Sequence, residues 1–273
     1  MSNKKKKSLE KQPKVLVFDI ETSPMTAYVW GLWDQNIGLN MIKEDWYVMS
    51  FAAKWLGDKP KDTFYADQRG VSPQSDDRLL LKAIHALLDE ADIVITQNGK
   101  KFDQKKLNAR FILNGMPPTS SYRHIDTLLI ARKHFAFSSN KLEYMTDKLC
   151  EKYKKLPHGK FPGFSLWKEC MDNNPKAWAE MEKYNKYDVL SLEELYHKLI
   201  PYDNGINFNV YHDGDNHVCK CGSKLSEKNG FFFTNSAKFQ KYRCVECGHE
   251  TRDTVNQLTI EKRRSLLKDT PKK

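Results

Sequence analysis

Lys14-Val-Leu-Val-Phe-Asp-Ile-Glu-Thr22 runs four apolar residues into two acids that flank an isoleucine. A short apolar run ending in acid predicts a buried strand. Side chains alternate along a strand, so Asp19 and Glu21 share one face while Ile20 turns into the core. Two carboxylates that close repel and raise a pKa unless cations neutralise them. Hard divalent cations such as Mg²⁺ take oxygen ligands of this sort. Taken alone, Asp-x-Glu is more often a strand entering a turn with two solvated acids.

Working outward, Tyr28–Trp33 and Trp46–Trp55 also read as strands, with a loop around Gly38 and Asn40 between them. No helix separates these early strands, which predicts antiparallel neighbours. Helical spacing follows over Asp76–Leu88, then a strand over Asp92–Thr96 and a helix over Asp103–Leu113. Asn114-Gly115 and Pro117-Pro118 close that helix. Arg123–Asp126 reads as a strand, and helices follow over Thr127–His134, Leu142–Cys150, Trp167–Met171 and Lys176–Leu199. The order, βββαβα and then β with further helices, predicts an α/β domain on a mixed sheet.

Two further motifs carry polar chemistry. Asn98-x3-Phe102-Asp103 puts Asp103 at or near a helix N-terminus, where an acid also serves as an ordinary cap. Lys100, Lys101, Lys105, Lys106 and Arg110 surround it, either along a phosphate path or as plain exposed helix residues. Tyr184 and Asp188 are one helical turn apart and share a face. An amphipathic helix with a half-buried Tyr gives the same pattern, but a phenol beside a metal-bound water can orient it or accept its proton. An ordinary phenol pKa of about 10 makes a poor base unless a cation lowers it.

Phe18-Asp-Ile-Glu-Thr22, Asn98-x3-Phe-Asp103 and Tyr184-x3-Asp188 together resemble the three exonuclease motifs of the DEDD superfamily, tyrosine subtype. They are similar to the proofreading domain of family B DNA polymerases and to stand-alone members with a ribonuclease H-like fold. The resemblance covers residues 14–200, and Lys183 stands where the histidine subtype carries its histidine. It implies a mixed sheet flanked by helices, and a 3′→5′ exonuclease that releases nucleoside 5′-monophosphates from DNA ahead of RNA. Asp19, Glu21, Asp103 and Asp188 would ligate two Mg²⁺ or Mn²⁺, and Tyr184 would position the attacking water. Thr22 and Asn98, with Lys100 and Lys101, are expected at the nucleic acid. Asp126, at the sheet-to-helix junction, reads as an N-cap rather than a ligand. No polymerase domain follows within 273 residues, which implies a free-standing nuclease or a nuclease subunit. The alternatives are a non-catalytic nucleic-acid-binding or recruitment protein on the same fold, and a structure-specific endonuclease.

Cys219-x-Cys221-Gly222 and Cys244-x2-Cys247-Gly248 are two metal knuckles. Four thiolates presented from tight turns suit one structural, tetrahedral Zn²⁺. Gly230–Thr234 and Lys241–Cys244 read as strands, so the segment resembles a zinc ribbon, with His217 and His249 as substitute ligands. Metal would supply the folding energy of so small a module. Its aromatics and its Lys241 and Arg243 suit nucleic acid, and a protein partner is the alternative. Cys150 and Cys170 read as buried thiols.

The formal charge of +10 is uneven. Residues 1–14 and 205–273 each carry +5, and residues 15–204 are neutral, which suits sequence-independent phosphate attraction at the ends. The expected organisation is a disordered basic tail over 1–13, the exonuclease domain over 14–202, a linker over 203–216, the ribbon over 217–252 and a basic tail over 253–273. That last tail holds a short helix within Val255–Leu267. No apolar run nears the roughly 20 residues of a membrane span, and Lys4–Lys7 are not followed by a signal core. With metal-type cysteine spacing, this predicts a reducing, intracellular setting: the cytoplasm, or the host cytoplasm for a phage protein.

Overall fold

Leu16, Val17 and Phe18 have no solvent exposure, because the strand they form, β1 (Val15–Thr22), lies at the centre of a five-stranded sheet. The computed structural model describes residues 12–154, 159–212 and 217–267. The expected disorder over 1–13 therefore falls almost wholly outside the described residues. By their internal contacts, Pro13–Leu199 form one unit and the chain from Ile200 onward belongs to another.

In the first unit β1 is followed by β2 (Thr26–Ala27), β3 (Ile42–Glu44), β4 (Val48–Trp55) and β5 (Phe64–Asp67). The rest alternates: α1 (Arg78–Glu90), β6 (Ile93–Thr96), α2 (Asp103–Leu113), β7 (Arg123–Asp126) and α3 (Thr127–His134). It closes with α4 (Leu142–Leu149), α5 (Ser165–Met171) and the long α6 (Pro175–Leu199). The sheet runs β5-β4-β1-β6-β7. β1 pairs antiparallel with β4 and parallel with β6, so it sits where the sheet changes from a meander to crossover connections. Its register with β4 slips at Glu21/Thr22, at the end that carries the acids.

Alternation along β1 sorts the two faces. Leu16, Phe18 and Ile20 pack with Leu81, Ile84 and Leu88 of α1 and Leu107 and Phe111 of α2. On the other side Met49 joins Leu166 of α5 and Trp178, Met181 and Tyr184 of α6. Two ion pairs tie elements to the sheet. Arg110 reaches Asp77 through two nitrogens, at 2.8 and 2.6 Å, and the wholly buried Asp77 also accepts from the Val48 amide at 2.9 Å. Arg110 therefore braces α2 on the strands, which removes it from the cations open to phosphate around Asp103. Lys54, 1% exposed on β4, donates to Glu193 of α6 at 2.9 Å and to the carbonyls of Trp55 and Asp58.

The expected strand at Tyr28–Trp33 is not there. Only Thr26 and Ala27 pair, with Glu44 and Ile42 of β3, and the residues beyond have no strand alongside. The third strand of the meander is instead β5, an edge strand.

In the second unit β8 (Ser226–Thr234), β9 (Ala237–Cys244) and β10 (Glu250–Arg252) form an antiparallel sheet, and α7 (Ile260–Ser265) follows. Asp203, in the segment expected to be a linker, and Pro201 just ahead of it bond within this unit. The Pro201 carbonyl meets His249 Nδ1 at 2.7 Å, and Lys220 donates to the Asp203 carbonyl.

Candidate metal centres

Asp19 and Glu21 leave β1 on the face covered by α6, whose Asp188 is buried one turn beyond Tyr184. A carboxylate oxygen from each of Asp19, Glu21 and Asp188 lies within 4.8 Å of the others. Three like charges this close repel, and the all-oxygen donor set fits hard divalent ions that would neutralise them.

Asp103 is not one of these three. It is the first residue of α2, 2% exposed, and its Oδ1 accepts from the amide of Ile20 at 3.2 Å. Its carboxyl thus abuts the residue between Asp19 and Glu21. Burial, reinforced by the charge of Asp126, raises its pKa above the usual carboxylate range even though the amides of Ile20 and Asp103 oppose the shift.

Tyr184 is nearly buried and meets Trp167 edge-on, with ring centroids 6.2 Å apart. Burial first, then the charges of Asp188, Glu21 and Asp19, pushes its phenol well above the ordinary value. Without cations the hydroxyl is a proton donor, not a base.

Sequence reading missed Asn185. It is wholly buried on α6 and donates from Nδ2 to Asp19 Oδ2 at 2.8 Å, while its Oδ1 accepts from Ser50 Oγ at 3.2 Å. The amide fixes one carboxylate of the cluster against a hydroxyl of β4. An asparagine mid-helix, a poor helix former beside Tyr184, was the available signal.

The loop ahead of Asp103 is held by Asp126. Its carboxylate caps α3 through the Leu128 amide (3.1 Å) and accepts from the amides of Asn98 (2.9 Å) and Lys100 (3.2 Å). Asn98 adopts φ +64°, and Gly99 approaches Thr96 so closely that a Cβ would overlap its side chain. His124 bridges Thr96 and Gln104, and burial lowers its pKa to about 4. Lys100 and Lys101 are exposed on this loop, and Thr22 is half-buried at the register slip. Gln97 and Asn98 also border a cleft of about 480 Å³ with Arg132, Asn140 and Lys141, none of which stood out in the sequence.

The four cysteine sulfurs also lie within 4.8 Å of one another. Cys219 and Cys247 are 3.4 Å apart and Cys221 and Cys244 3.7 Å, near the ~3.8 Å that tetrahedral Zn–S bonds of about 2.3 Å require. Each knuckle closes on a left-handed glycine, Gly222 (φ +91°) and Gly248 (φ +75°). His249 bonds to the Pro201 carbonyl and His217 to Thr251 and Asn209, so neither histidine completes the cluster. Lys241 pairs with Glu250 at 3.1 Å, and Arg243 lies exposed across the register from that glutamate. Cys150 and Cys170 are buried, and burial pushes both thiols up to about 12. Among the described residues no helix is long and apolar enough to cross a membrane.

A family model for the RNase_H superfamily matches residues 16–200. Among solved structures, the family B DNA polymerase from the hyperthermophilic archaeon Pyrobaculum calidifontis is similar, with a TM-score of 0.49 and 17% identity. The likeness covers 69% of this chain and 25% of that one, so the match spans a quarter of that polymerase. A comparison with curated proteins finds no match.

Proposed function

The chain belongs to the RNase_H superfamily, and from that premise we propose that it is a metal-dependent 3′→5′ exonuclease of the DEDD class, acting on DNA ahead of RNA. The observation that carries this reading is the convergence of Asp19, Glu21 and Asp188 beside Tyr184. In it, Asp19, Glu21 and Asp188 would hold two Mg²⁺ or Mn²⁺ ions, with Asp103 completing the set once ionised. Such ions would supply an activated water and neutralise charge on the scissile phosphate. The protein's own groups supply position. Asn185 fixes Asp19, the Ile20 amide fixes Asp103, and Tyr184 would position the attacking water. Thr22 ends β1 and Asn98 follows its parallel neighbour β6, and with Lys100 and Lys101 they would meet the strand being shortened.

The cysteine module is read as a zinc ribbon with one structural Zn²⁺, because a closed set of four thiolates leaves no position for substrate. Its thiolates and the two buried thiols suit a reducing, intracellular compartment. The ribbon binds nucleic acid in this reading, and a protein partner is the outcome to test against it.

The test is degradation of end-labelled oligonucleotides with Mg²⁺ or Mn²⁺. The expected result is mononucleotides released from the 3′ end by the wild type and none by Asp19→Ala or Asp188→Ala, both folded. Wild-type protein inert on DNA and RNA with both metals would make the chain a non-catalytic binder. Internal cuts in a circular substrate would make it an endonuclease.

A further inference from the structure

The residues apolar enough to predict a strand at Tyr28–Trp33 lie in solvent. Trp30 is 96% exposed, Leu32 88%, Trp33 83% and Tyr28 67%. A contiguous exposed set of large apolar side chains marks an interaction site. The arm that carries them is anchored at its base. β2 pairs with β3, Tyr28 N donates to Met41 O at 2.9 Å, and Ser23 and Tyr47 exchange two bonds of 2.9 Å. Only four residues separate Glu21 from Thr26, so the base of the arm stands within about 18 Å of the carboxylates.

We propose that this arm is a stacking platform for the bases of single-stranded nucleic acid at the carboxylate site, an inference that rests on the nuclease reading above. Three features favour that occupant. The exposed side chains at 28, 30 and 33 are aromatic planes, which stack on any base. Thr26 to Trp33 carry no charge of their own, the acids beside them being Asp34 after Trp33 and Glu44 opposite Thr26. Trp46, just beyond β3, holds the ammonium of Lys106 at 3.6 Å from its ring centroid, which places a cation by the base of the arm.

The experiment compares wild type with the double variants Trp30→Ala/Trp33→Ala, Trp30→Phe/Trp33→Phe and Trp30→Leu/Trp33→Leu. Binding of oligothymidylate and oligouridylate is followed by fluorescence anisotropy without added divalent cation, and turnover of the same strands with Mg²⁺. The alanine pair should weaken binding about tenfold or more and raise KM in parallel, with kcat little changed. The phenylalanine pair should recover most of the affinity and the leucine pair should not, all with wild-type melting temperatures. Wild-type affinity in the alanine pair, or leucine restoring as well as phenylalanine, would overturn the platform and point to a protein partner. Should the wild type cleave nothing, the metal-free binding comparison still decides the platform. Should the platform fail, Asp19-dependent cleavage stands untouched.

Discussion

Asn185→Ala tests whether α6 supports the metal site or merely covers it. The substitution removes the 2.8 Å hydrogen bond to Asp19 Oδ2 and leaves Ser50 Oγ without its acceptor on that residue. A hydrogen bond to a charged group contributes about 1.5–3 kcal/mol, and loss of a group that orients a metal ligand costs about 10- to 100-fold in metal affinity or activity. Alanine is the better helix former by about 0.5 kcal/mol, so stability falls by less than the site does. For a unit of this size each kcal/mol shifts the melting temperature by about 2–4 °C. The assay is exonuclease rate against Mg²⁺ concentration, with a thermal melt at each step. The expected result is a half-saturating Mg²⁺ concentration raised at least tenfold, with a melting temperature only a few degrees lower. A variant with the wild-type Mg²⁺ curve would refute the role assigned to Asn185. So would activity lost only in step with unfolding.

Glu193→Ala should destabilise the first unit by about 3–5 kcal/mol, read from the urea midpoint, because it strands the buried Lys54 ammonium on two carbonyls. Adding Lys54→Met should recover most of that loss. His124 is half-buried with its pKa lowered to about 4 by desolvation, so the unfolded chain binds its proton more tightly. The stability it confers is complete above pH about 6.5 and drains away as pH falls towards about 4. The melting temperature should drop over that window, and less so in His124→Gln. Cys244→Ser should abolish Zn²⁺ binding, measured by metal analysis, and unfold β8–β10, while exonuclease rate on a short strand persists.

Much of the first unit was legible because its elements are short and punctuated. Asp103–Leu113, Arg123–Asp126 and Thr127–His134 begin and end where the sequence places them, since Asn114-Gly115 stops one helix and Asp126 caps the next. β5 was not legible. Phe64–Asp67 is a half-exposed edge strand, and its partner β4, not its own pattern, makes it one. Tyr28–Trp33 failed for the opposite reason, since apolar residues predict burial only where a neighbour exists to bury them. Within the site, residue types announced the carboxylates, whereas Asn185 acts through partners 135 and 166 residues away. Lys54 was hidden likewise, its salt-bridge partner lying 139 residues on.

That distance has a consequence for the newly made protein. β1 can pair with β4, and then β6, as soon as those segments leave the ribosome, and domains fold as units in the order they are made. Asp188 and the amide that aligns Asp19 arrive only with α6, the last helix of the unit. A nascent or truncated chain can therefore present the first two acids on a formed strand without the third member of the carboxylate cluster. Completion of the first unit works as a safety catch on the proposed activity, since the helix that joins the acids is the last to arrive.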